Sequence, residues 1–146
     1  MDDNTLTERD TKKRYLKRYR RKLEVIERLE ERVRALDSKI ESLRSPSLSG
    51  MPRGGKALTS EDLIADKVDL ERRIEKQKLE GDRLRRRTLD LIDQVDDVRR
   101  GEVLEDYFIY GMSFGQIAEE MGYTERHIIR LYGEALDMIT LCDTSV

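Results

Sequence analysis

Residues Ser113 to Ile139 read SFGQIAEEMGYTERHIIRLYGEALDMI. Their small, capping and apolar positions predict two short helices joined by a tight turn. Ser113 and Gln116 have capping-box spacing, which starts the first helix by satisfying otherwise unpaired backbone N–H groups. Ala118 marks the closest crossing of the two helices, where a larger side chain would push them apart. Gly122, four residues on, is placed to leave the helix with positive φ. Thr124 caps the second helix, and Ile117, Met121, Tyr123, Ile128 and Leu131 close a small core. This is the pattern of a helix-turn-helix. A preceding helix from about Glu102 to Tyr110, ended by Gly111, supplies the third element such modules need.

Upstream, the pattern changes to long stripes. From about residue 7 to 44, Leu16, Tyr19, Leu23, Ile26, Leu29, Val33, Leu36, Ile40 and Leu43 recur at steps of three and four. Thr5 with Glu8 offers a capping box near the start. Residues 45–58, SPSLSGMPRGGKAL, hold both prolines and three glycines and predict a loop. Thr59 or Ser60 then caps a second long helix, expected over 60–98. Its seam of Leu63, Lys67, Leu70, Ile74, Gln77, Gly81, Leu84, Thr88, Leu91, Val95 and Val98 alternates fours and threes. Two helices of matching length joined by a loop predict an antiparallel coiled-coil hairpin over 5–99, followed by the helix-turn-helix module over 101–141. The expected fold is therefore all-α.

Composition narrows the function. With 41% charged and 37% hydrophobic residues, the chain predicts a narrow core without room for a deep pocket. There is no metal-ligand spacing, no Cys–His pair and no nucleotide-binding glycine loop, so neither an enzyme nor a cofactor is expected. The lone Cys142 has no partner for an internal disulfide, which fits a reducing compartment. No signal peptide or membrane-length apolar run is seen, and a cytoplasmic protein is expected.

On the predicted recognition helix, Glu125, Arg126, His127, Ile129 and Arg130 form the candidate reading face. Arginine pairs with guanine, glutamate accepts from the cytosine amino group, and isoleucine meets the thymine methyl. Ser113 and Thr124 suit phosphate. His127, the only histidine, lacks the companions a metal site or general base requires.

Charge is segregated. Residues 101–146 contain only Arg126 and Arg130 against nine carboxylates, whereas Lys12, Lys13, Arg14, Lys17, Arg18, Arg20, Arg21 and Lys22 form a run without a single acid. The acidic C-terminal module should repel phosphate, and DNA affinity depends on neutralising it. The basic run has two readings, a solvated helix face or an arm that contacts phosphates. A smaller cluster, Arg83 with Arg85, Arg86 and Arg87, has the same two.

The run Gly122-Tyr123-Thr124-Glu125-Arg126-His127-Ile128-Ile129-Arg130-Leu131, with Ala135-Leu136 closing it, resembles region 4 of bacterial sigma factors. Taken whole, the charged hairpin, the loop and this ending are similar to small phage and mobile-element proteins of Gram-positive bacteria, the late transcription regulators of the RinA and ArpU kind. The resemblance implies a phage-encoded regulator in the host cytoplasm that binds double-stranded DNA and contacts RNA polymerase. No promoter-melting region is recognisable. A homodimer through the coiled coil also suits the pattern. The competing reading is an adaptor or packaging subunit that uses the helix-turn-helix for protein contacts.

Overall fold

The computed structural model describes residues 3–44 and 59–141, with side chains from Thr7 onward. Among them the protein is all-α. Its helices are α1 (Asp3–Leu16), α2 (Arg18–Arg44), α3 (Ser60–Ile92), α4 (Val98–Phe108), α5 (Phe114–Met121) and α6 (Glu125–Asp137). The expected loop over 45–58 and Cys142 lie outside the described residues.

Helix α1 and the first turn of α2 form one helical rod. The helical ladder crosses their junction, with the Lys17 N–H donating to the Lys13 carbonyl at 2.9 Å and that of Arg21 to the Lys17 carbonyl at 3.0 Å. The rod is already helical at Asp3, so Thr5 lies inside it and not at its start. Helix α3 begins as expected on Thr59, whose hydroxyl accepts from the Asp62 N–H at 3.2 Å while its own N–H donates to the Asp62 carboxylate. Two acidic residues in the first turn complement the helix dipole there.

Contacts divide the chain into two compact units, residues 23–80 and residues 1–22 with 81–146. The division cuts through α2 and α3, so the segment 5–99 is shared between the units. In the first unit, Ile26, Leu29 and Ile74 are buried against Leu23, Val33 and Leu70. Lys67 pairs with Asp37 at 2.6 Å and Lys78 with Glu30 at 3.6 Å, so residue numbers rise along one helix as they fall along the other. The two helices of this hairpin are antiparallel, as their matching length and the joining loop predict.

The second unit holds α1, the last turns of α3, and α4 to α6 around one core. Leu16, Val103, Leu104, Phe108, Ile117, Ile128, Leu136 and Ile139 are its most deeply buried side chains. Two expectations fail here. The heptad alternation does not keep α3 helical to residue 98. It ends at Ile92, and short turns fold Val95 into the core while Val98 is left 81% exposed. The next helix starts at Val98 instead of Glu102, because the Asp97 carboxylate accepts from the Arg100 N–H at 3.0 Å and caps it. The helix then ends at Phe108, short of Tyr110. At the other end of the seam, Leu43 is half exposed.

Candidate nucleic-acid interface

The helix-turn-helix is built from its caps. The Ser113 hydroxyl accepts from the Gln116 N–H at 3.2 Å, and the Gln116 side chain accepts from the Ser113 N–H at 2.9 Å, a complete capping box for α5. Gly122 leaves α5 at φ 74°. The Tyr123 N–H returns to the Ala118 carbonyl at 2.9 Å, closing the turn. The Thr124 hydroxyl accepts from the His127 N–H and starts α6. Ile117, Ala118, Ile128 and Leu131 are buried between the helices, with Met121 and Tyr123 half-buried beside them.

An aromatic cluster braces this core. Tyr107 stacks on Phe114 at 4.7 Å, and Phe114 meets Tyr132 edge-on at 4.9 Å. Burial, with Tyr107 as a secondary cause, raises the Tyr132 hydroxyl above the ordinary phenol range. The aromatics sit on three different helices, so their meeting has no short-range signature.

The predicted readers come together at the start of α6. Glu125, Arg126, Ile129 and Arg130 are exposed, with Ile129 retaining 48% of its surface. An isoleucine this open beside two arginines is a useful feature of the site, since it offers an apolar contact within a polar face. His127 differs from the other four. Its ring packs edge-on against Tyr123 at 4.7 Å, and its Nδ1 lies 2.9 Å from an Arg130 guanidinium nitrogen. It orients Arg130 from the side. Ser113 and Thr124 are exposed, and each hydroxyl already accepts a cap bond, which leaves its O–H to donate outward.

The negative charge of the C-terminal segment is partly cancelled by residues from outside it. Arg100 donates from Nε to Glu134 at 2.9 Å and also pairs with Asp97. Arg9 donates from Nε to Asp137 at 2.8 Å. Hydrogen bonding to Arg9 holds the Asp137 carboxyl below the usual range, and the Arg100 N–H does the same for Asp97. Of the remaining acids, Asp106 lies near Glu102, Glu105 and Glu120. Burial first, and then those neighbours, push its carboxyl up to about 6. These acids sit on α4 and α5, outside the reader set. Glu125 alone stays within it.

The basic run is split by the fold. Lys12 donates from Nζ to the Leu136 carbonyl at 3.0 Å, at the C-terminal end of α6, where a cation complements the helix dipole. Lys13 lies over the Tyr132 ring at 5.8 Å, and Arg20 reaches the Ile109 carbonyl at a long 3.4 Å. Arg14, Arg18 and Arg21 remain exposed, while Lys17 and Lys22 are half-buried. Part of the run therefore holds the module together, and the rest is left exposed or half-buried. Arg83, Arg85, Arg86 and Arg87 are all exposed.

Sequence reasoning passed over three supports of the site. Arg9 and Asp137 are 128 residues apart, with no local signal joining them. Gln94 and Thr140 exchange two amide bonds, at 3.2 and 3.1 Å, tying the end of the described chain to the turn before α4. Asp97 with Arg100 did carry a signal, the spacing of an N-cap and its third helical residue. No protein-family model, curated protein or solved structure matched the chain.

Proposed function

We propose that this chain is a sequence-specific regulator of transcription that binds double-stranded DNA through α6. Following the resemblance noted above, it is encoded by a phage or mobile element, acts in the cytoplasm and contacts RNA polymerase. The observation that carries the reading is the grouping of Arg126, Ile129 and Arg130, all exposed, on the first two turns of a helix whose N-cap, preceding turn and core are closed. A helix presented in this way fits the major groove, where arginine and apolar side chains distinguish base pairs. The heptad pattern of the hairpin also suits pairing with a second copy. No described helix is long and apolar enough to cross a membrane.

The test is selection from a randomised pool of labelled DNA duplexes, followed by affinity measurement on the selected site. Wild type should enrich a defined sequence. Arg126→Ala with Arg130→Ala should lose about 1–3 kcal/mol of discrimination per paired base contact while keeping its helical circular dichroism. No binding at low salt, or an unchanged sequence preference in the double variant, would defeat the proposal. The adaptor reading would then stand.

A further inference from the structure

The basic run near the N-terminus has two faces with different work. Arg9, Lys12, Lys13 and Arg20 point into the module, onto Asp137, the Leu136 carbonyl, the Tyr132 ring and the Ile109 carbonyl. Leu16, on the same side, is completely buried. Arg14, Arg18 and Arg21 follow one another at steps of four and three, so they share the opposite face of the rod. All three are exposed. Arg18 lies over the Tyr15 ring at 4.7 Å, and neither Arg14 nor Arg21 has an ion-pair partner among the described residues. The nearest acids along this face are Asp10, one turn before Arg14, and Glu24, three residues after Arg21.

The position of this rod against α6 gives the strip its meaning. Arg126, Arg130, Gly133 and Asp137 form one stripe of α6, at steps of four, three and four. The first half of that stripe is bare. The second half is covered by α1, whose Arg9 guanidinium holds Asp137 and lies over Gly133, 3.0 Å from where a Cβ would stand. Helix α1 thus stands at the far end of the reading stripe and on the same side of α6. A groove seated on Arg126, Ile129 and Arg130 would be bounded by phosphates, and α1 is the element that flanks the stripe. A module with this many carboxylates needs added cations for affinity.

We propose that Arg14, Arg18 and Arg21 bind the DNA backbone beside the groove that α6 reads, and that the inward cations are rivets fixing this strip to the recognition helix. The inference rests on the DNA-binding reading above. It assigns the affinity of the complex largely to α1 and the start of α2, and its sequence preference to α6.

The experiment measures affinity against salt concentration for the selected duplex, using the full chain. Arg14→Ala, Arg18→Ala and Arg21→Ala together should reduce the slope of log affinity against log salt by about 2–3. Affinity should fall at least tenfold near physiological salt, with sequence preference unchanged. The corresponding triple lysine variant should keep the slope, because a phosphate contact needs charge more than a planar fork. Since the three side chains are exposed, both variants should keep wild-type helicity. If the triple alanine variant binds with unchanged slope and affinity while the Arg126 and Arg130 variant loses preference, the strip is not a phosphate site and the DNA-binding reading stands. If wild type binds no duplex at low salt, both fall.

Discussion

At the scale of single residues, the helix-turn-helix depends on a few positions. Gly122 has open space where a Cβ would sit, yet its φ of 74° still disfavours any other residue. Its requirement is conformational and not steric. Asp106 is the opposite case, a residue held at a disadvantage. Its carboxyl titrates at about 6 in the fold against 3.8 when unperturbed, through burial and then Glu102, Glu120 and Glu105. Between those values the folded state binds more protons than the unfolded chain, so stability falls as pH rises from about 4 to 6. The side chain is half-buried and still partly screened by solvent, so the loss should be near 1 kcal/mol. Urea unfolding of Asp106→Asn should flatten that slope and leave the variant about 1 kcal/mol more stable at pH 7. A variant with the wild-type slope would show that Asp106 is not the titrating group. Asp97 and Asp137, whose carboxyls are lowered, act with the opposite sign and only below the ordinary carboxylate range.

At the scale of elements, the helix-turn-helix is completed by a helix from the other end of the chain. Helix α1 contributes Leu16, with no exposed surface, to the core that also holds Phe108 and Leu136. Leu16→Ala should therefore destabilise the module by about 3 kcal/mol, through lost transfer energy and the cavity left behind. The loss should appear as a lower urea midpoint at unchanged slope. An effect below about 1 kcal/mol would mean that α1 lies on a complete module without being part of it. This pattern also explains what was legible in the sequence. Caps and turns are local, so Ser113, Gln116, Gly122 and Thr124 could be read directly, and the exposed candidate residues of α6 followed from their distance to Thr124. The end of α3 was misread because heptad spacing continues through Val95 and Val98, although the chain turns at Ile92. Hydrophobic periodicity does not register a competing cap, and Asp97 supplied one. The docking of Arg9 and Lys12 on α6 could not be read, since nothing local links residues at opposite ends of the sequence.

At the scale of the whole molecule, the two compact units differ in how much apolar surface holds them. The hairpin unit closes on Ile26, Leu29 and Ile74, with Ile40 and Leu63 buried separately along its seam. Outside that seam, Val25, Ile64, Val68 and Leu79 keep 40–56% of their surface. The other unit encloses Val103, Leu104, Phe108, Ile117, Ile128, Ala135 and Leu136 on all sides and ties Thr140, beyond α6, to Gln94 in the turn before α4. Opening free energies follow buried apolar contact, so the units should open separately. Native-state hydrogen exchange on monomeric protein at low concentration should find amides of residues 26–40 and 63–77 less protected than those of 103–108 and 128–136. Ile74→Ala should deepen that difference by exposing the hairpin alone, whereas Leu104→Ala should reduce protection in the second unit. Equal protection throughout, or a loss of protection in both regions from Ile74→Ala, would make the chain a single cooperative body. If the hairpin pairs with a second copy, its amides, and not those of α4 to α6, should gain protection as concentration rises, because association stabilises the unit that supplies the interface.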